Sequence, residues 1–179
     1  MVEVLDRGRA AMLAGMRPQR IPPGPGQESV WDYPRPPALE PVAARVRVEL
    51  GGVTVADTTR AWRVVETSHP PNYYLHPDDV VTAYLEPVPG GSLCEWKGTA
   101  SYWTVSVGDR VEVAAAWSYP RPAASFAAIR DHFAFYAGRM DACWVGDRLV
   151  EPQPGGFYGG WITSDIVGPF KGVDGSRFW

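Results

Sequence analysis

Proline and glycine constrain this chain more than any other feature of its sequence. The 179 residues include eighteen prolines and nineteen glycines. Proline removes a backbone donor and fixes φ, and glycine weakens helix interiors, so long helices are excluded. Eight tryptophans, eight tyrosines and six phenylalanines add large, stiff side chains that favour strands. We therefore expect a mainly β fold.

Composition also narrows the range of partners. The formal net charge is −3 and charges of both signs are interspersed, so we expect no nucleic-acid partner. No run approaches the roughly 18 apolar residues that a membrane-spanning helix needs, so we expect no membrane partner. Residues 10–16 are too short for a secretion signal and lack a cleavage site. Cys94 and Cys143 form no Cys-x-x-Cys pair, so we expect no zinc, no disulfide framework, no cofactor and a cytoplasmic location. A homo-oligomer stays open.

Residues 1–41 are expected to form an N-terminal arm. Residues 2–16 are compatible with a short helix, whereas eight prolines from Pro18 to Pro41 exclude a regular helix or a central strand. Trp31 and Tyr33 would be costly to leave in water, so the arm is expected to pack on the protein. Residues 42–179 then form a single β domain.

Alternating side chains predict most of the strands. The period of two from Arg45 to Val55, broken by Gly51-Gly52, indicates a hairpin. Trp62–Thr67 is a third strand, ended by a turn at Ser68–Asn72. A meander follows, with strands at 80–86, 92–107 and 110–119 and turns at 89–91 and 108–109.

One core helix is expected after the meander. Phe126, Ile129 and Phe133 recur at helical spacing within residues 123–133, and Ser125 is placed to cap the first turn. Short strands around residue 135 and over 142–150 follow. The glycine-rich aromatic tail from Gly155 lacks the P-loop spacing and is interpreted as a covering loop.

The segment Leu93–Trp103 is the best candidate lining of a ligand site. As a strand it would place Cys94 and Trp96 on one face and Glu95 and Lys97 on the other, until Gly98 bends the chain. A lysine among aromatic rings could bind an anion or a carbonyl oxygen, and burial would lower its pKa enough for proton transfer or imine chemistry. The alternative is that the rings are core and Lys97 extends outwards into water.

His69 is a second candidate, because it lies where a strand gives way to a predicted turn. Glu66 and Asp79 are its possible carboxylate partners in acid–base catalysis. The alternative is a surface or capping histidine. A metal site from His69, His76 and Cys94 is chemically feasible, but no histidine spacing marks it, and we expect no metal.

Five motifs together resemble the bacterial and fungal family catalogued as domain of unknown function 427. The resemblance covers roughly residues 27–172 and is most distinctive in Cys-x-Trp-Lys-Gly-x-Ala-x-Tyr-Trp. The motifs are Glu28–Pro37, Ser68–Tyr74, Cys94–Trp103, Ala116–Pro120 and Pro154–Trp161.

The resemblance implies a tent-like β fold. Two antiparallel sheets meet at an angle, as in methionine sulfoxide reductase B and the drug-binding domain of cereblon. Those relatives commonly hold zinc on two Cys-x-x-Cys knuckles, which this chain lacks. The label nucleotidyltransferase finds no support, because no Gly-Ser motif with paired carboxylates is present. In tent folds an aromatic pocket lies where the sheets meet, and here it would be lined by Tyr74, Trp96, Lys97, Tyr102, Trp103 and Trp117.

Two functions follow from these residues. The first is a small-molecule-binding domain. This domain would also be an enzyme if Glu66, His69 or Asp79 adds an acid–base group to Lys97. The alternative is a non-catalytic module that receives a protein or peptide. A purely structural role comes third.

Overall fold

The computed structural model describes residues 18–179, and the helix predicted over residues 2–16 lies outside them. The expected mainly β character is confirmed, since strands and short 3-10 helices account for the regular structure of the described residues. The strands are β1 (Glu28–Ser29), β2 (Ala38–Pro41), β3 (Val46–Leu50), β4 (Val53–Thr58), β5 (Trp62–Glu66), β6 (His69–Tyr74), β7 (Leu85–Cys94), β8 (Gly98–Val107), β9 (Arg110–Ser118), β10 (Phe133–Phe135), β11 (Ala142–Val145), β12 (Arg148–Leu149), β13 (Glu151–Pro152), β14 (Trp161–Ile162) and β15 (Ile166–Val167). The 3-10 helices are Pro77–Asp79, Thr82–Tyr84, Ala124–Ile129, Ala137–Arg139 and Ser176–Phe178.

Antiparallel pairing dominates the sheets. Two sheets have four strands each, in the orders β10-β9-β8-β7 and β12-β11-β3-β4, and a third has the order β2-β5-β6. Two smaller pairs complete the set: β13 with β14, and β1 parallel to β15. No helix in the described part of the chain is long and apolar enough to cross a membrane.

The predicted hairpin at Gly51-Gly52 is confirmed. Leu50 lies opposite Val53, and the two glycines between them have φ of 60° and 76°, which suits glycine. Along β3 every second residue is buried and the residues between are half-buried. Hydrophobic alternation therefore set the register of this hairpin.

The meander is present, but its first turn lies elsewhere. Cys94 pairs with Gly98, so the chain reverses at residues 95–97, and the predicted turn at Pro89-Gly90-Gly91 is instead a register shift inside β7. A Cβ on Gly91 would lie 2.4 Å from the carbonyl oxygen of Ala100 on β8. The Pro-Gly-Gly sequence therefore forms a bulge against the neighbouring strand, not a turn.

The turn predicted at Ser68–Asn72 is also wrong in extent. The reversal occupies Thr67 and Ser68, whose φ is 70°, and β6 begins at His69. Pro70 and Pro71 lie within β6, which pairs only with β5 in its sheet. An edge strand tolerates missing backbone donors, so the two prolines do not end it.

The helix predicted over residues 123–133 is a shorter 3-10 helix, Ala124–Ile129. Phe126 has φ −114° and ψ 17°, which breaks the helical geometry, and Ala123, not Ser125, occupies the cap position, without a side-chain hydrogen bond. Phe126 and Ile129 are nevertheless buried as the spacing predicts. Their hydrophobic pattern was correct, but the short segment closes no α-helical turn.

Three apolar clusters form the core of the described residues. The largest centres on β3, β4, β8, β9 and β10, and a second includes Val64, Tyr74 and Trp117. The third joins Val30 and Tyr33 to strands β5 and β15. Several side chains of the second cluster also line a cleft. This cluster therefore forms the floor of that cleft.

Candidate functional site

A cleft of about 790 Å³ collects most of the side chains proposed from the sequence. Its walls come from strands β5 and β6, the β7–β8 turn, strand β9 and the glycine-rich segment 156–159. This volume suits an organic molecule of ordinary cofactor or drug size. Of the nine residues proposed, seven line it: Glu66, His69, Tyr74, Trp96, Lys97, Tyr102 and Trp117.

Lys97 is the most unusual residue of the cleft, because its side chain is buried. It is only 7 % exposed, whereas Glu95 beside it faces solvent. The predicted alternation fails here because the chain reverses at these residues. The interpretation in which Lys97 extends into water is therefore wrong.

The surroundings of Lys97 keep its ammonium charged. Burial acts to lower its pKa, whereas the groups around it, including the Glu66 carboxylate, act to raise it, and the net direction is upwards. Imine chemistry needs a neutral amine, so the expectation of a lowered pKa is wrong. No carboxylate of residues 18–179 forms an ion pair with Lys97. The Tyr119 ring centroid lies 5.9 Å from the Lys97 Nζ.

Buried aromatic residues form the floor around this ammonium. The indole N–H of Trp117 donates to the Tyr74 hydroxyl over 3.4 Å, and the Tyr74 and Tyr119 ring centroids are 6.2 Å apart. Burial raises the pKa of both phenols, so they stay protonated. They therefore supply neutral donors and apolar area to the cleft, not negative charge.

A second polar group is built around His69 at the start of β6. Its Nδ1 lies 3.0 Å from the Thr67 carbonyl oxygen, and its ring packs edge-on against Tyr158 at 4.8 Å. Because a carbonyl only accepts, neutral His69 carries its proton on Nδ1 and leaves Nε2 with a lone pair. Burial lowers the pKa of His69. Glu66, the predicted partner, instead binds Arg35, whose Nε is 3.2 Å from its carboxylate.

Asp79 and Trp103 do not line the cleft, and we remove them from the site. Asp79 accepts from Thr58 at 2.6 Å and from Arg60 at 2.8 Å. Trp103 packs on Phe133 with ring centroids 5.4 Å apart, in the largest core cluster. Asp79 lies at the end of the 3-10 helix Pro77–Asp79, and Trp103 lies on β8.

No metal site replaces them within residues 18–179. These residues contain no group of three or more His, Cys, Asp or Glu placed to hold an ion. His76 lies beside His132, with ring centroids 5.1 Å apart, so the trio His69, His76 and Cys94 does not converge. Cys143 is buried, which raises its pKa and leaves an inert thiol.

Several lining residues were missed by the sequence reasoning. Arg35 and Tyr158 lie in motifs that were quoted for the resemblance, which could have drawn attention to them. Lys171 had no such signal, because only the tertiary fold returns the tail to His69. Tyr119 lies in the quoted motif Ala116–Pro120, and the other missed side chains that line the cleft include Tyr136 and Arg139.

The mouth of the cleft is apolar and exposed. Leu93 is 80 % exposed and Phe157 is 79 % exposed, and both line the opening. Single exposed apolar residues are common, but two at one cleft mouth suit contact with a ligand or partner.

Residues 38–146 match the family described as a domain of unknown function, DUF427. The chain belongs to this family. The DUF427 match runs from β2 through β11 and includes Glu66, His69, Lys97 and Trp117. Arg35 and the wall formed by residues 156–159 lie outside the matched range. No curated protein matches the chain. Since the DUF427 description states no activity, the chemistry must be derived from the cleft itself.

Proposed function

We propose that the domain binds a small organic molecule in the cleft, with the Lys97 ammonium holding a polar or anionic group of that ligand. The single observation that carries the proposal is that Lys97, only 7 % exposed, lines the cleft and forms no ion pair with a carboxylate of the described residues. Burying an unpaired charge is expensive, so such groups persist where a ligand supplies the missing partner. The rings of Tyr74, Trp96 and Trp117 would contact the remaining, apolar part of the ligand.

Catalysis would depend on His69 rather than on Lys97. The hydrogen bond from Nδ1 to Thr67 and the contact with Tyr158 fix the imidazole, and burial favours its neutral form. A neutral imidazole with an open Nε2 suits a general base, and the Lys97 ammonium suits stabilisation of developing negative charge. Glu66 would orient Arg35, which already binds its carboxylate.

Lys97→Met tests the binding proposal. Methionine keeps the length of the side chain and removes the charge, so we expect the free energy of unfolding to stay unchanged or to rise by up to about 2 kcal/mol. Binding of polar or anionic aromatic fragments, followed by Trp fluorescence at Trp96 and Trp117, should be lost. A variant that is strongly destabilised while fragments bind as before would show that Lys97 is structural. Asp79→Asn is the matched control, because Asp79 lies outside the cleft.

A protein- or peptide-binding module is the second candidate, favoured by exposed Leu93 and Phe157 at the mouth. The two functions differ in where binding energy resides. A double variant, Leu93→Ser with Phe157→Ser, should change fragment affinity by less than about threefold if the buried floor dominates. Peptide interfaces depend on such apolar anchors, and a peptide ligand would lose most of its affinity.

A further inference from the structure

Cations outnumber carboxylates around the cleft. Four basic side chains and two acidic ones line it, which leaves an excess of positive charge. The basic residues are Arg35, Lys97, Arg139 and Lys171, and the acidic residues are Glu66 and Glu95.

Three of these cations already have oxygen partners or bulk water. Arg35 pairs with Glu66 at 3.1 Å. The Lys171 ammonium donates to the backbone oxygen of Trp179 at 2.8 Å. Arg139 is exposed and donates to a carbonyl of β9 at 2.9 Å. None of the three is buried without an oxygen partner, although only Arg35 pairs with a carboxylate among the described residues.

Lys97 differs from all three, since it is both buried and without an oxygen partner in the described chain. One buried ammonium balances one negative charge. Because Lys97 is the one buried cation among the four, we infer that the ligand is an aromatic monocarboxylate whose carboxylate pairs with Lys97; this inference rests on the proposed function.

Phosphoryl groups fit the inner wall less well. A phosphate carries nearly two charges at neutral pH and is usually held by several convergent donors, such as arginines or backbone N–H groups at a helix N-terminus. Here the buried donors beside Lys97 are the neutral hydroxyls of Tyr74 and Tyr119. A single ammonium matches the single charge of a carboxylate.

The aromatic walls of the cleft favour a planar ring system in the part of the ligand that does not carry the carboxylate. Trp96, Tyr102, Trp117, Tyr136 and Tyr158 all contribute to the lining. Flat rings stack on or meet edge-on with such side chains. A planar ring system therefore gains more from this cleft than a sugar or a short polar acid does.

Three naphthalene probes with one ring system and different head groups test the inference. Calorimetric titration of the full chain would compare 1-naphthaleneacetate, 1-naphthaleneacetamide and 1-naphthyl phosphate. We expect the acetate to bind at least about tenfold more tightly than the amide, as a charge-assisted hydrogen bond predicts. That preference should vanish in Lys97→Met and persist in Asp79→Asn.

Other outcomes separate this inference from the proposed function. Equal binding of acid and amide, or tighter binding of the phosphate, would overturn the monocarboxylate class while leaving a ligand-binding cleft. Binding of none of the three would overturn the aromatic class. The proposed function itself would fail if a charge-varied fragment panel also failed to bind, or if Lys97→Met were strongly destabilised while fragments bound as before.

Discussion

Asp79 and Lys97 differ in whether their charge has a partner, and this difference distinguishes a structural residue from a candidate ligand-binding residue. Arg60 and Thr58 surround the Asp79 carboxylate and hold its pKa at about 2. Lys97 is more deeply buried yet has no such partner among residues 18–179. The sequence proposed Lys97 as an ionisable group among aromatic rings, and Asp79 as a possible carboxylate partner of His69. The charge partners of a side chain can be identified only in the tertiary structure. Since Asp79 has such partners, Lys97 remains the candidate for ligand binding.

Asp79→Asn should therefore weaken the fold slightly and leave the cleft intact. The side chain is 23 % exposed, so solvent screens its pair with Arg60, and we expect a loss of about 1 kcal/mol or less. Thermal unfolding measures that loss, and fragment titration should give the wild-type affinity. Weaker fragment binding in this variant would return Asp79 to the site.

Two glycines of the glycine-rich segment 156–159 are needed for different reasons. A Cβ on Gly159 would lie 2.2 Å from the Trp117 ring, whereas one on Gly156 would meet nothing within 4 Å. Gly159 is thus required by packing, since only a residue without a side chain lets the backbone cover Trp117. Gly156, with φ of 67°, is required only by backbone conformation. The sequence suggested a covering loop but could not say which glycine touches the floor of the cleft.

Gly159→Ala and Gly156→Ala form a matched pair for this segment. Alanine at 159 must displace either the segment or Trp117, so we expect fragment affinity to fall at least about tenfold, the effect of roughly 1.4 kcal/mol. Alanine at 156 costs about 1 kcal/mol of backbone strain and should change affinity little. Titration by Trp fluorescence distinguishes the two. Equal losses would mean that the segment acts through its flexibility and not through contact with Trp117.

His69 and His132, on different parts of the molecule, have the same hydrogen-bonding arrangement, and together they affect the stability of the whole protein. In each, Nδ1 lies 3.0 Å from the carbonyl oxygen two residues earlier, and burial lowers the pKa below the ordinary 6.5. Both imidazoles are therefore neutral in the folded protein at neutral pH. In the unfolded chain each regains its ordinary affinity for a proton.

Stability should consequently fall in mild acid. Below about pH 6.5 the unfolded chain binds protons that the folded chain refuses, so the contribution is complete above that pH and is lost as pH drops through the lowered folded values. Denaturant unfolding from pH 8 to pH 5 measures the slope. The double variant with His69→Asn and His132→Asn keeps an N–H donor for each carbonyl. It should flatten the dependence of the free energy of unfolding on pH. An unchanged slope would assign the effect to other groups. Asp79 does not interfere, because it titrates at about pH 2.

The sequence alone determined the β class, the hairpin at Gly51-Gly52 and the set of aromatic and basic residues from which the cleft is built. Those features depend on local properties: backbone limits at proline and glycine, and alternation between neighbours along the chain. Only the tertiary structure decided where the β7–β8 reversal falls, because the bulge at Pro89-Gly90-Gly91 depends on contact with β8. That reversal buries Lys97 and exposes Glu95, and long-range packing brings Lys171 and Arg35 to Glu66 and His69. The cleft is thus a product of contacts between residues far apart in the chain, which no local pattern records.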